Sequence, residues 1–235
     1  MEEVNGSMQE STASLAKRPK VENAIRYYLF RHGETDYSIA SRYCGWEDAQ
    51  LTETGYKHHE AQVELLGDTS LTAICTSDST RTLHLAEALA KPRKMVIYKY
   101  KGLRELDFGG FGGLTYGEAN KTYPKELAQW VEDPVANAPP GGETLEGLQS
   151  RLQGAMGAIE RQVQEISWNS VVPRNVALVT HGGIIRVLLC DWLGVPLRYH
   201  WQFRIDSGSL TIVESYSQGA ICCLVNYRPE FDCSE

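Results

Sequence analysis

Four short apolar runs, Ile25 to Phe30, Leu71 to Thr76, Met95 to Tyr100 and Val176 to Val179, alternate along this chain with segments of helical pattern. Strands separated by helices are joined most simply as parallel neighbours with crossover helices, so the alternation selects an α/β fold with a largely parallel sheet. Thr52 is placed to cap a helix reaching about Leu66, and Ser77-Asp78-Ser79 offers capping side chains for another through Ala90. Short helical pieces are expected around Tyr116 to Lys121 and Pro124 to Glu132. Leu145, Leu148, Leu152, Met156, Ile159, Val163 and Ile166 recur at helical spacing, although Gly147, Gly154 and Gly157 weaken that helix. Ile184 to Leu193 is apolar enough for a buried helix. Two late strands, near Leu210 to Val213 and Ile221 to Val225, complete a three-layer α/β/α arrangement.

Each early strand delivers polar groups where it ends. The first runs into Arg31-His32-Gly33-Glu34, the second into Thr76-Ser77 and a helix beginning with Arg81. The third leads to Arg104-Glu105, and the fourth to Thr180-His181-Gly182-Gly183. In a parallel sheet these ends share one edge, where ligands bind, so the groups can converge. Arginine stays charged and presents a planar fork suited to phosphate oxygens. Histidine can attack as a nucleophile or move a proton, and a carboxylic acid can protonate a leaving oxygen. Two histidines, two or more arginines and one carboxylate form a coherent set for phosphoryl transfer.

The charge balance narrows the partners. With 23 Lys and Arg against 30 Asp and Glu, the net charge is −7, which argues against general binding of nucleic acid or anionic membrane. An anion site must therefore be a local basic cluster. No run is long and apolar enough to span a membrane, and the N-terminus lacks a signal core, so a cytoplasmic location is expected. The six cysteines, Cys44, Cys75, Cys190, Cys222, Cys223 and Cys233, have no metal-type spacing and read as reduced thiols. Neither a metal nor another cofactor is expected. Residues 1–22 read as a disordered tail, and 23–235 as a single domain.

Five ordered pieces resemble the histidine phosphatase superfamily, also called phosphoglycerate mutase-like. They are Arg31-His32-Gly33-Glu34-Thr35, Leu51-Thr52 with Gly55, Ser77-Asp78 with Arg81, Leu103 to Gly109, and Thr180-His181-Gly182-Gly183. The resemblance implies that His32 becomes phosphohistidine, and that Arg31, Arg81 and His181 form the phosphate pocket. Glu105 then corresponds to the proton donor and later the base, while Arg42, Ser38, Gly45 and Gly182 are candidate substrate-binding positions. A small phosphorylated metabolite is the implied partner, with a homodimer left open. His58, His59, His84 and His200 match no catalytic piece and read as surface or core residues.

Within that family, Arg42-Tyr43 with Gly45 and Asp48, Leu103 to Gly113, Tyr123-Pro124, and Pro139 to Thr144 look like the alpha-ribazole phosphatase branch, which acts late in cobalamin assembly. The same stretches recur in broad-specificity sugar-phosphate phosphatases. Mutase members carry a basic-aromatic run after the catalytic glutamate, where this chain has Leu106-Asp107-Phe108, which disfavours a mutase. A phosphate-binding scaffold without catalysis is the remaining alternative. Glu143 is expected either at the mouth of the site or at a helix start. There are three departures from the pattern. Ser38 replaces an asparagine, Phe111-Gly112 replaces Trp-Glu, and His58-His59 replaces a glutamine-alanine pair on what is expected to be a helix surface.

Overall fold

A computed structural model describes residues 24–167 and 174–229. The expected tail and Cys233 lie outside the described residues. The elements run β1 (Ile25–Arg31), α1 (Asp36–Ile39), α2 (Glu53–Leu66), β2 (Ala73–Thr76), α3 (Thr80–Arg93), β3 (Ile97–Lys99), α4 (Tyr116–Thr122), α5 (Pro124–Glu132), α6 (Leu145–Ile166), β4 (Arg174–Thr180), α7 (Gly182–Leu193), β5 (Leu210–Tyr216) and β6 (Gly219–Tyr227). The strands form one sheet in the order β3-β2-β4-β1-β5-β6. β3, β2, β4 and β1 are mutually parallel, and β5 and β6 add antiparallel. The expected mostly parallel sheet is therefore present, and β1 lies inside it, paired on both sides.

Alternation along the strands makes the three layers. Tyr27, Leu29, Cys75, Val176 and Leu178 point to one face, where they pack with Leu148, Leu152, Ile159 and Val163 of α6 and Ile184, Ile185 and Leu188 of α7. Phe30, Ile74, Ala177 and Val179 point to the other, against Leu66 of α2 and Leu85, Ala86 and Leu89 of α3. The three glycines of α6 do not interrupt it. Each costs about 1 kcal/mol relative to alanine, but the apolar side chains buried along the same helix outweigh that. The Thr144 hydroxyl also accepts from Gly147 N at its start.

A third, smaller cluster sits over the sheet edge. Phe111, Ala119 and Leu127 are buried together, with Tyr43, Phe108, Leu114, Tyr123 and Trp130 packed around them. The loops feeding it are stitched by main-chain bonds: Tyr43 N donates to Leu114 O, Gly113 N to Tyr43 O, Gly110 N to Pro140 O, and Glu143 N to Asp107 O. Gly109 adopts φ +45°, and a Cβ there would collide with the Pro140 carbonyl. This assembly forms a cap of residues from 42–46, 106–127 and 140–143.

Among the described residues, no helix is long and apolar enough to cross a membrane. Cys44, Cys75, Cys190, Cys222 and Cys223 are free thiols.

Candidate active site

β1 delivers Arg31 and His32 at the middle of the sheet edge, and the chain is pinned there atom by atom. Arg31 N donates to Ser209 O, His32 N to Thr180 O, and Gly208 N to His32 O. Gln62 Nε2 donates to Arg31 O at 2.9 Å. Gly33 N donates to His59 Nε2 at 2.8 Å and Glu34 N to His58 Nδ1 at 3.3 Å. Thr52 N donates to Glu34 O. The last main-chain acceptor, Gly33 O, lies 2.7 Å from His32 Nδ1. Every backbone N–H and C=O from Arg31 to Glu34 is thereby paired, which fixes the loop in one conformation. Gly33 itself is required, because a Cβ there would enter the Gly55 carbonyl at the start of α2.

A carbonyl can only accept, so His32 Nδ1 carries the proton and Nε2 keeps its lone pair. Burial holds the His32 imidazole well below its usual range, and Arg81 and Arg31 push it further down. The neutral form with a free Nε2 is what nucleophilic attack requires.

His181 follows β4 and is fully buried, its ring 5.2 Å from that of His32 in an edge contact. Its Nε2 lies 2.9 Å from Ser77 Oγ, while Nδ1 has no partner. For Nδ1 to donate to an oxyanion, Ser77 must donate to Nε2. Burial, then Arg81 and His32, hold this imidazole well below its usual range as well. In the unliganded protein His181 is therefore neutral.

Arg81, on the first turn of α3, is 1% exposed. Its Nη1 donates to Glu47 O at 2.8 Å and its Nη2 to Gly45 O at 2.7 Å. Arg31 Nη1 donates to Ile205 O at 2.5 Å. The Nε atoms of both arginines are buried without a partner. Unpaired buried donors are costly, so these two and His181 Nδ1 are groups that a bound acceptor would satisfy. Burial lowers the pKa of Arg31, and the nearby Glu105 carboxylate offsets part of that effect.

Glu105 is held against the start of α7. Its Oε2 accepts from Gly183 N at 3.0 Å and its Oε1 from Leu106 N at 2.9 Å. Its main-chain carbonyl accepts from Trp46 Nε1 at 2.9 Å and Arg151 Nη2 at 2.8 Å. Arg104 makes two 2.6 Å bonds to Asp78 and lies over the Trp46 ring.

The remaining candidates make structural contacts in the unliganded protein. Gly45 contributes its carbonyl to Arg81, and a Cβ there would press on Leu106 O at 2.7 Å. Gly182 lets the Arg31 guanidinium pack on α7, since a Cβ would meet it at 3.4 Å. Ser38 is committed to a cap: its Oγ accepts from Thr35 N and donates to Thr35 O. Arg42 donates to Gly113 O and pairs with Glu118 at 2.7 Å, bracing the cap. Arg151 and Asp107 N occupy the Glu143 carboxylate. At Gly112, a Cβ would collide with the Glu47 carboxylate, which fills that space.

The correction that matters most is His58-His59. Both are buried, at 3% and 1% exposure, and both face the loop that follows β1 instead of solvent. With Gln62 they form a polar stripe along α2. Glu47, Ser77 and Arg151 are further supports whose parts could not be assigned from sequence. Among the described residues, no group of three or more His, Cys, Asp or Glu side chains is placed to hold a metal ion.

Comparison with known proteins agrees with this geometry. The family model described as histidine phosphatase superfamily (branch 1) matches residues 27–228. Phosphoserine phosphatase 1 of Hydrogenobacter thermophilus is 29% identical over 80% of this chain and 86% of its own. Glucosyl-3-phosphoglycerate phosphatase of Mycobacterium tuberculosis is 32% identical over 74% of this chain and 78% of its own. The crystal structure of a protein from Escherichia coli, described as a putative alpha-ribazole-5'-P phosphatase, superposes with a TM-score of 0.79 at 24% identity. That superposition covers 88% of this chain and 98% of the other, and it shows a shared fold. A match spanning nearly every described element, together with a neutral histidine set between two arginines and a second histidine, makes the chain a member of branch 1 of the histidine phosphatase superfamily.

Proposed function

We propose that this protein is a phosphomonoesterase that removes phosphate from a small phosphorylated metabolite through phospho-His32. The observation that carries the reading is the pairing of a fixed His32 tautomer with unsatisfied donors on Arg31, Arg81 and His181. In the first step His32 Nε2 attacks phosphorus, the N–P bond forms, and the ester P–O bond breaks. Glu105 gives its proton to the departing oxygen. In the second step water attacks phosphorus, Glu105 takes a proton from it, and the N–P bond breaks to release phosphate. The arginines and His181 hold the oxygens on which charge develops. No metal takes part.

Two features favour hydrolysis over mutase chemistry. Asp107 follows Glu105 in the stretch where the resemblance gives mutases a basic-aromatic run, and Glu143, which accepts from the Asp107 amide, adds a second carboxylate nearby. The relatives named above differ in their substrates, so the leaving group rests on the cap. Alpha-ribazole phosphate is the leading candidate, supported by the shared stretches in the cap loops; a sugar phosphate is the alternative.

Rapid quench with a 32P-labelled phosphomonoester tests the chemistry. We expect an acid-labile, base-stable phosphoenzyme that forms faster than turnover and is absent in His32→Ala. EDTA leaves the rate unchanged. Turnover without any phosphoenzyme would overturn the proposal, and a panel containing alpha-ribazole phosphate, phosphoserine and 3-phosphoglycerate decides between leaving groups.

A further inference from the structure

α2 carries a run of polar side chains, His58, His59 and Gln62, on the face that ordinarily buries apolar residues, and all three bond to the backbone of the loop holding His32. Each has a second contact, His58 with Arg228 and Gln62 with Ser209 O, but that of His59 is with another imidazole. Its Nε2 accepts from Gly33 N at 2.8 Å, and its Nδ1 lies 2.9 Å from Nδ1 of His84, an exposed residue of α3. The two rings stack with centroids 5.1 Å apart, and Tyr56 packs edge-on against the outer one.

Proton bookkeeping leaves one arrangement. Gly33 N–H can only donate, so His59 Nε2 must be unprotonated. Neutral His59 then carries its proton on Nδ1, which donates to Nδ1 of His84. His84 in turn keeps its own proton on Nε2. On the other side of the same peptide, Gly33 O accepts from His32 Nδ1. The Gly33 peptide plane is thus held from one side by His59 and fixes the His32 tautomer with the other. Burial, then His84 and His58, bring His59 down to about 3, so it stays neutral in this role.

We propose that His59, oriented by His84, is a positioning residue for the phosphoryl-transfer step: it locks the Gly33 peptide so that its carbonyl keeps the proton on His32 Nδ1 and leaves Nε2 free to attack. This rests on the reading of His32 as the nucleophile. The role belongs to His59 because its ring alone joins Gly33 N to a second side chain; a purely space-filling residue needs no acceptor at Nε2.

The test compares His59→Phe, which keeps the ring and removes the acceptor, with His59→Gln, whose Oε1 falls near the position of Nε2. In His59→Phe the phosphorylation rate and kcat should fall 10- to 100-fold, in line with a small misplacement of a reacting group. KM should stay within about threefold, because the phosphate clamp is untouched. His59→Gln should recover most of the loss. Side-chain 15N spectra should show His32 protonated on Nδ1 in the wild type and in His59→Gln, with the Nε2-protonated form appearing in His59→Phe. His84→Leu, at an exposed position, should lower kcat about 3- to 10-fold in the same direction; it carries the test if His59→Phe does not fold. A folded His59→Phe with kcat within twofold of wild type overturns the proposal, as does His59→Gln equally impaired while folded, or an unchanged His32 tautomer. His32→Ala serves as the reference: if it turns over normally the nucleophile assignment fails, whereas an inactive His32→Ala beside a fully active His59→Phe removes only the positioning role.

Discussion

Arg81→Met separates the three roles that one buried guanidinium holds. Methionine keeps most of the volume and removes the charge and every donor. Loss of a preorganised donor to the transferring group lowers kcat by about 10²- to 10³-fold, or about 2.7–4 kcal/mol. Loss of the bonds to Gly45 O and Glu47 O removes two charge-assisted links of about 1.5–3 kcal/mol each. Relief of a buried cation offsets much of that second effect, so the fold survives. The third effect is electrostatic. Arg81 is the largest charge holding both His32 and His181 down, after burial itself. Without it both imidazoles gain protons more readily, and their titrations move upward. Burial and Arg31 still act on His32, so at pH 7.5 it remains neutral and the loss of kcat there reports donor loss alone. As pH falls, the active neutral fraction disappears earlier than in the wild type. Steady-state kinetics on p-nitrophenyl phosphate from pH 4 to 9, beside NMR titration of the two imidazoles in the free enzyme, measure both. A kcat reduced less than tenfold at pH 7.5, or imidazole titrations identical to wild type, would refute the reasoning.

Other outcomes follow from the same geometry. Gly33→Ala forces a Cβ into the Gly55 carbonyl, and the clash between two backbones should destabilise by more than about 3 kcal/mol; urea unfolding measures it, and a stable, active Gly33→Ala contradicts it. His32, His59 and His181 are all held below their usual range. The unfolded chain therefore takes up these protons first, so stability is full above about pH 6.5 and falls below it by up to about 1.4 kcal/mol per pH unit for each group. Urea melts between pH 5 and 7.5 should show this, with the slope reduced by about one proton in His59→Phe. Trp46→Phe removes the indole donor to Glu105 O and should lower kcat about 3- to 10-fold, equivalent to one ordinary hydrogen bond; an unchanged kcat shows that Trp46 does not orient Glu105.

The sheet was legible because its signal is apolar and local. The runs at β1, β2 and β4 contain buried residues on both faces, as expected for interior strands, and each is followed at once by a polar residue of the site: His32, Ser77 and His181. α6 was readable through its repeated apolar positions, whose burial overcame three glycines. α2 was harder. Its inward positions Gly55, His58, His59 and Gln62 have helical spacing but polar character, because what they cover is a loop of main-chain amides and not an apolar surface. Periodicity rules look for apolar stripes and assign such residues to solvent. The contacts of Ser38 and Arg42 in the unliganded protein were hidden for a related reason. A hydroxyl three residues after Thr35 caps its own helix, and a guanidinium near Glu118 finds that carboxylate first.

The cap shares Phe108 and Trp130 with the main core and meets the site at three places: the 45–47 carbonyls that hold Arg81, the Trp46 indole on Glu105 O, and Leu106 N on the Glu105 carboxylate. Groups that position Arg81 and Glu105 therefore belong to the cap, whereas those that fix the His32 tautomer do not. Mutations can accumulate around Tyr43, Phe111 and Trp130, remodelling what the cap admits, without disturbing the tautomer of His32.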